Sequence, residues 1–119
     1  MSPRLVGPVR VVGAGLLGTS IGLALTARSL DVILDDASPA QLRLAMDYGA
    51  GRAARAGDVP QLIVVCVPPD VTSRVIAAEL AAFPTATVCT LEVPQATAFG
   101  ALLYLERGMA HKKVLPQPI

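Results

Sequence analysis

The stretch Val9 to Ser20, VRVVGAGLLGTS, is the feature that most narrows what this chain can fold into. A short run of β-branched residues, Val9 to Val12, leads into three glycines spaced Gly13-x-Gly15-x-x-Gly18. The uncharged segment that follows has the composition of a helix packed on both sides. Strand, tight turn and helix N-terminus therefore come in that order, and each glycine has a physical task. Gly13 permits the turn, Gly15 lets the backbone approach a pyrophosphate, and Gly18 lets the helix lie close on the strand. Ala14, Leu16 and Leu17 complete the candidate cofactor-binding loop, whose unpaired helix amides and positive dipole end suit phosphate oxygens.

A second strand is predicted over Asp31 to Asp36, and it ends in two carboxylates, Asp35 and Asp36. They stand 17 and 18 residues beyond Gly18, where a dinucleotide fold places the acid that accepts hydrogen bonds from the adenosine ribose. A carboxylate there repels a 2′-phosphate, so NAD is expected in preference to NADP. Asp36 is favoured for this role over Asp35. The alternative is that both acids only solvate a loop before the next helix.

The alternation of strand and helix continues. Ser38-Pro39-Ala40-Gln41 reads as a helix start, with Ser38 as cap, Pro39 at the first position and Gln41 closing a capping box. Leu42, Ala45 and Met46 form its buried stripe, and Gly49 ends it. Arg52 to Arg55 can form a short third strand. The run Leu62 to Val67 is a buried strand ending in Pro68-Pro69-Asp70. Ligands lie outside the carboxyl ends of strands in open α/β sheets, so Val67, Pro68 and Pro69 are expected to border the cofactor. Asp70 is expected to cap a helix over Val71 to Phe83, with direct ligand contact as the lesser alternative. Ala86 to Leu91 is a fifth strand, and beyond it a helix over Ala96 to Glu106 and a short strand over Lys112 to Leu115 are expected. The fold class is α/β, a doubly wound and mostly parallel sheet of the dinucleotide-binding type, with residues 1–90 as the binding domain and 91–119 as a divergent segment. The first helix, from about Leu16 to Ser29, is apolar on more than one face and is expected to pack on the sheet and on something else, which leaves a homo-oligomer open.

Charge and composition exclude several functions. Ten basic and nine acidic side chains give no basic stripe for nucleic acid. The start of the chain lacks the apolar core of a signal peptide, so a cytoplasmic location is expected. The uncharged run Val11 to Ala27, 17 residues with Gly18-x-x-x-Gly22, is short of a membrane span, and its first part reads as strand and turn. Cys66 and Cys89 lack metal-ligand spacing and are expected to be buried reduced thiols. No metal site is expected. His111, beside two lysines and without a carboxylate or serine partner, reads as a surface residue, so no catalytic residue is assigned.

Three stretches together carry a family resemblance: Val11 to Ser20, Asp35 to Pro39, and Val65-Cys66-Val67-Pro68-Pro69-Asp70. In their order and spacing, residues 5 to about 88 resemble the N-terminal nucleotide-binding domain of a prephenate dehydrogenase, most of all the actinobacterial type. The resemblance implies oxidative decarboxylation of prephenate to 4-hydroxyphenylpyruvate with NAD or NADP, in tyrosine biosynthesis. It further implies that Gly13, Gly15 and Gly18 hold the pyrophosphate, Asp36 the ribose, and Val67 to Pro69 the face near the nicotinamide. After the fifth strand the family's Asp-x-x-Ser-Val-Lys stretch is replaced by Thr90-Leu91-Glu92-Val93-Pro94-Gln95, and its Gly-x-His-Pro-Met stretch is absent. The expectation from this abrupt change is a truncated or frame-shifted product, inactive alone. Two alternatives stand beside it: a dinucleotide-binding module without chemistry, and the cofactor domain of a related β-hydroxyacid dehydrogenase or pyrroline-carboxylate reductase.

Overall fold

The computed structural model describes residues 5–91. Over them the chain alternates strand and helix: β1 (Val9–Val12), α1 (Leu16–Ala27), β2 (Val32–Asp35), α2 (Pro39–Asp47), β3 (Arg52–Ala53), β4 (Leu62–Val65), α3 (Pro69–Ala82) and β5 (Thr87–Thr90). The strands form one sheet in the order β3-β2-β1-β4-β5, and every pairing is parallel. The sheet therefore reverses direction at β1, between β2 and β4, and the loop after β1 opens at that switch point. The doubly wound α/β architecture expected from the sequence is the one observed. The helix over 96–106, the strand over 112–115 and His111 lie outside the described residues.

Parallel strands covered on both faces should be apolar throughout, and β4, LIVV, is buried at all four positions. Alternate residues feed two cores. Val9, Val11, Val32, Leu34, Leu62, Val64 and Cys89 face Ile21 and Leu25 of α1 and Ala45 of α2. Val12, Ile63, Val65 and Val88 face Ile76 of α3. Arg10 is the exception in β1, a charge on the α3 side of an otherwise apolar strand.

Helix α1 is drawn unusually close to its surroundings by two glycines. A Cβ on Gly18 would fall within the carbonyl of Gly13, and one on Gly22 would come within 2.5 Å of the Ala50 oxygen. The Gly18-x-x-x-Gly22 spacing is thus used inside the domain, and among the described residues no helix is long and apolar enough to cross a membrane. Gly18, Ile21, Gly22 and Leu25 form its buried face, while Leu16 and Leu23 stay exposed, so nothing among the described residues covers the second apolar face.

Several element ends differ from the sequence expectation. Helix α1 stops at Ala27 because Ser29 turns left-handed at φ 65°, its amide donating to Thr26. β2 ends at Asp35, so Asp36 stands just off the strand. Ser38 caps α2 by accepting from the Gln41 amide at 3.3 Å, but the reciprocal half of the box does not form. The Ser38 amide donates instead to Asp36 Oδ1 at 2.7 Å, a charged and therefore stronger acceptor than a Gln amide. Asp70 is not the cap of α3. Proline 68 holds that position, Pro69 opens the helix and Asp70 sits exposed in its first turn, favourably placed for the dipole.

Candidate functional site

The loop after β1 is fixed by backbone contacts. Gly13 adopts φ +103°, and a side chain there would run into the carbonyl of Cys66 at the end of β4. Its amide donates to the Asp35 carbonyl at 2.8 Å. The strand ends of β1, β2 and β4 are thereby tied together around one residue that only glycine can supply. Gly15 differs. A Cβ built on it meets nothing nearer than Gln41 Oε1 at 3.9 Å, so the protein itself leaves the space above it open. That opening is what a backbone in close contact with a bound pyrophosphate requires.

The three helix starts contrast in a way that singles out α1. Helix α2 has the Ser38 hydroxyl as cap, and α3 has a carboxylate, Asp70, in its first turn. Helix α1 begins at Gly15 with neither a side-chain cap nor an acid in its first turn. Its first amides, at Leu16 and Leu17, have no carbonyl within the helix to bond, which leaves them and the positive dipole end for an anion. Thr19 closes the turn from beneath, its hydroxyl donating to the Ala14 carbonyl at 3.0 Å. The Ala14 amide is itself taken, donating to Asp36 Oδ2 at 2.6 Å.

Asp36 is consequently a braced group. One oxygen accepts from Ala14 and the other from Ser38, so the carboxylate is locked between the glycine loop and the start of α2. Each carboxylate oxygen has a second lone-pair site, which leaves Asp36 able to accept from two hydroxyls without moving.

These groups border a cleft of about 780 Å³ at the carboxyl ends of the strands. Val12 and Gly13 form one part of its lining, Asp35 and Asp36 with Ser38 a second, and Val67 and Pro68 a third. The volume falls within the range of small-molecule and cofactor sites. A further wall is a single stripe of α3: Val71, Arg74, Val75, Ala78 and Glu79. Of the residues predicted for the site, Gly13, Asp35, Asp36, Val67 and Pro68 meet at this cleft. Ala14, Gly15 and Leu16 line an adjoining groove of about 230 Å³ on the α2 side. Leu17 packs against the core, and Pro69 lies at the exposed start of α3.

Sequence reading missed the electrostatic frame behind the cleft. Arg10 Nε donates to Glu79 Oε1 at 2.6 Å, and its NH2 group donates to Glu79 Oε2 at 3.2 Å and to Asp35 Oδ2 at 3.0 Å. The guanidinium carbon lies 5.1 Å from the Phe83 ring centroid. Burial works against the charge on Arg10, but the Glu79 and Asp35 carboxylates outweigh it and hold the guanidinium above its ordinary pKa. The sequence does contain the signal. A lone arginine in a buried strand requires a partner, and Glu79 falls on the same α3 stripe as Val71 and Val75 at helical spacing.

The two cysteines lie on the opposite core. Cys66 packs against it and Cys89 belongs to it, and burial pushes both thiols up to about 12. Among the described residues no cluster of histidine, cysteine or carboxylate side chains could hold a metal ion.

No family model matches the chain. A curated protein named as a probable prephenate dehydrogenase, from Streptomyces niveus, is 46% identical over 67 residues, covering 56% of this chain and 18% of that protein. The chain thus spans less than a fifth of the length of this relative. Among solved structures, arogenate dehydrogenase from Synechocystis is similar with a TM-score of 0.63 at 20% identity, over 79% of this chain and 37% of that one. A 3-hydroxyacyl-CoA dehydrogenase from Archaeoglobus fulgidus is similar with a TM-score of 0.52 at 23% identity, over 69% of this chain and 32% of that one. At such identities the structural likeness is one of fold.

Proposed function

We propose that residues 1–90 are the cofactor domain of an NAD-dependent prephenate dehydrogenase, a reading supported by the 46% identity over 67 residues to a probable prephenate dehydrogenase. The uncapped, acid-free start of α1 at Gly15, with open space above it and Asp36 braced beside it, is the observation that carries this reading. Gly13, Gly15 and Gly18 shape the loop, and the amides of Leu16 and Leu17 receive the pyrophosphate. Asp36 accepts the adenosine ribose hydroxyls. Val67 and Pro68 form the wall toward the nicotinamide. When bound, NAD supplies the acceptor for the hydride that leaves the ring carbon of prephenate as carbon dioxide is lost. The chain's own contribution is to bind and orient. Asp36 fixes one end of the dinucleotide, the helix dipole the middle, and the rigid Pro68 turn the other.

A base for the substrate hydroxyl is not assigned to any residue in 5–91. His111, the chain's one histidine, lies outside the described residues. The second reading, a dinucleotide-binding module without chemistry, predicts the same cofactor contacts and no turnover.

Titration of the purified chain with NADH and NADPH, followed by an assay with prephenate and NAD, tests both. NADH is expected to bind, and more tightly than NADPH. Gly15→Val, whose side chain meets open space, is expected to fold and to weaken NADH at least about tenfold by occupying the pyrophosphate path. If neither dinucleotide binds the wild-type chain, the reading is overturned. NADH binding without turnover assigns the module reading to this chain.

A further inference from the structure

We propose that Glu79, on α3, is a second determinant of cofactor choice: with Asp35 it overcommits Arg10, so that an unneutralised negative charge behind the ribose-binding end of the cleft rejects a 2′-phosphate. The inference rests on the dinucleotide reading above and extends it to a residue 43 positions beyond Asp36 in the chain.

The geometry is specific. Arg10 is the shared cation of two carboxylates, bound through two nitrogens to Glu79 and through one of them to Asp35. The side chains of Arg10 and Glu79 are only 11% and 10% exposed, whereas Asp35, at 47%, opens to the cleft. The Phe83 ring lies against the guanidinium and helps hold it between the two acids. One cation cannot neutralise both.

The other charges facing the cleft do not remove the excess. Asp36 is ringed by the amides of Ala14 and Ser38, which orient it without cancelling its charge, and Arg74 is the one cation among the lining residues. Three carboxylates therefore oppose two guanidinium groups, and one negative charge remains. A ribose 2′-hydroxyl donates to Asp36 and is indifferent to that excess. A 2′-phosphate at the same position brings further negative charge beside these carboxylates, and the repulsion opposes its binding most strongly at low salt. Glu79→Gln keeps the shape of α3 and the Arg10 contact through its amide oxygen. Arg10 is then free to neutralise Asp35, and the cleft becomes neutral.

The test measures the ratio of the NADPH to the NADH dissociation constant at low salt. The wild type is expected to bind NADH more tightly. In Glu79→Gln the ratio is expected to fall roughly tenfold, the order of a unit-charge interaction at an effective dielectric near 20. A purely structural role for Glu79 would weaken both ligands and leave the ratio alone. Circular dichroism checks that the variant folds. Asp35→Asn, which removes the other carboxylate sharing Arg10 from a half-exposed position, provides the same reading if Glu79→Gln does not fold. Rising salt is expected to lower the wild-type ratio as well. An unchanged ratio in a folded variant overturns the proposal while leaving NAD binding intact. A wild-type chain that binds neither dinucleotide, or prefers NADPH, overturns the cofactor reading first and the proposal with it.

Discussion

The two faces of the sheet solve different problems with the same strands. On the α1 and α2 side, Val9, Val11, Leu34, Val64 and Cys89 meet Ile21, Leu25 and Ala45 in an entirely apolar core. On the α3 side the apolar cluster is smaller, and beside it Arg10, Glu79 and Asp35 form a partly buried charge network that reaches the cleft. The first face supplies hydrophobic stabilisation. The second gives up some of it to hold charges where a ligand can feel them, since a buried ion pair contributes little net stability once desolvation is counted.

That contrast yields predictions of decreasing size. Arg10→Met is expected to be the most damaging, at about 3–5 kcal/mol in urea denaturation, because it strands Glu79 with no cation. The double change Arg10→Met with Glu79→Leu should recover most of that loss, to within about 1 kcal/mol of wild type, because an apolar pair of similar volume has nothing to desolvate. A double variant as unstable as the single would show that the network is a structural necessity and would break the contrast. On the other face Leu25→Ala is expected to cost about 2–4 kcal/mol through lost burial and a residual cavity, with no dependence on salt between pH 5 and 8. A marked salt dependence there would mean that the apolar face also carries electrostatic work.

The smallest effect concerns the thiols. Cys66 and Cys89 are held near 12 against an ordinary 9.0, so at pH 8 the folded protein has about a thousandth of the usual thiolate, and alkylation should be slow until the chain is unfolded. The sign for stability follows from the raised folded value. The contribution is fully present below pH 9 and is lost as pH rises from 9 toward 12, because the unfolded thiols ionise first. Rapid labelling of the native protein at pH 8 would show that this face admits water.

A separate effect lies at the far edge of the sheet. Arg52 binds Asp31 at 2.9 Å and Asp58 at 2.9 Å, tying β3 to the loop before β4. The Arg52 hydrogen bond and the Arg55 amide hold the Asp58 carboxyl down to about 2. Its folded value is depressed, so its contribution is present above the ordinary value of 3.8 and is lost as pH falls from 3.8 toward 2. Acid titration of Asp58→Asn, compared with wild type, should show a shallower loss of stability in that window.

The strands and helices were legible because local signals agreed with each other. Val9 to Val12, LIVV and the Ser38-Pro39 start all combine propensity, periodicity and capping in one direction, and each element appears where those signals place it. The failures occurred where one backbone group had two candidate partners. Ser38 had to choose between Gln41 and Asp36, and α3 between Pro68 and Asp70 as its cap. Such choices depend on positions in space that short-range sequence does not specify.

By itself the sequence determined the order of elements, the parallel sheet and the demand for glycine at 13 and 18, because periodicity and steric exclusion act over a few residues. Tertiary structure alone decided that Asp36 is braced by the glycine loop, that Gly15 alone of the three faces open space, and that Arg10 is shared between Asp35 and Glu79. Those contacts join residues 22, 25 and 69 positions apart. Electrostatic fit over such separations exists only once the strands have paired, and it is this fit that gives the cleft its charge.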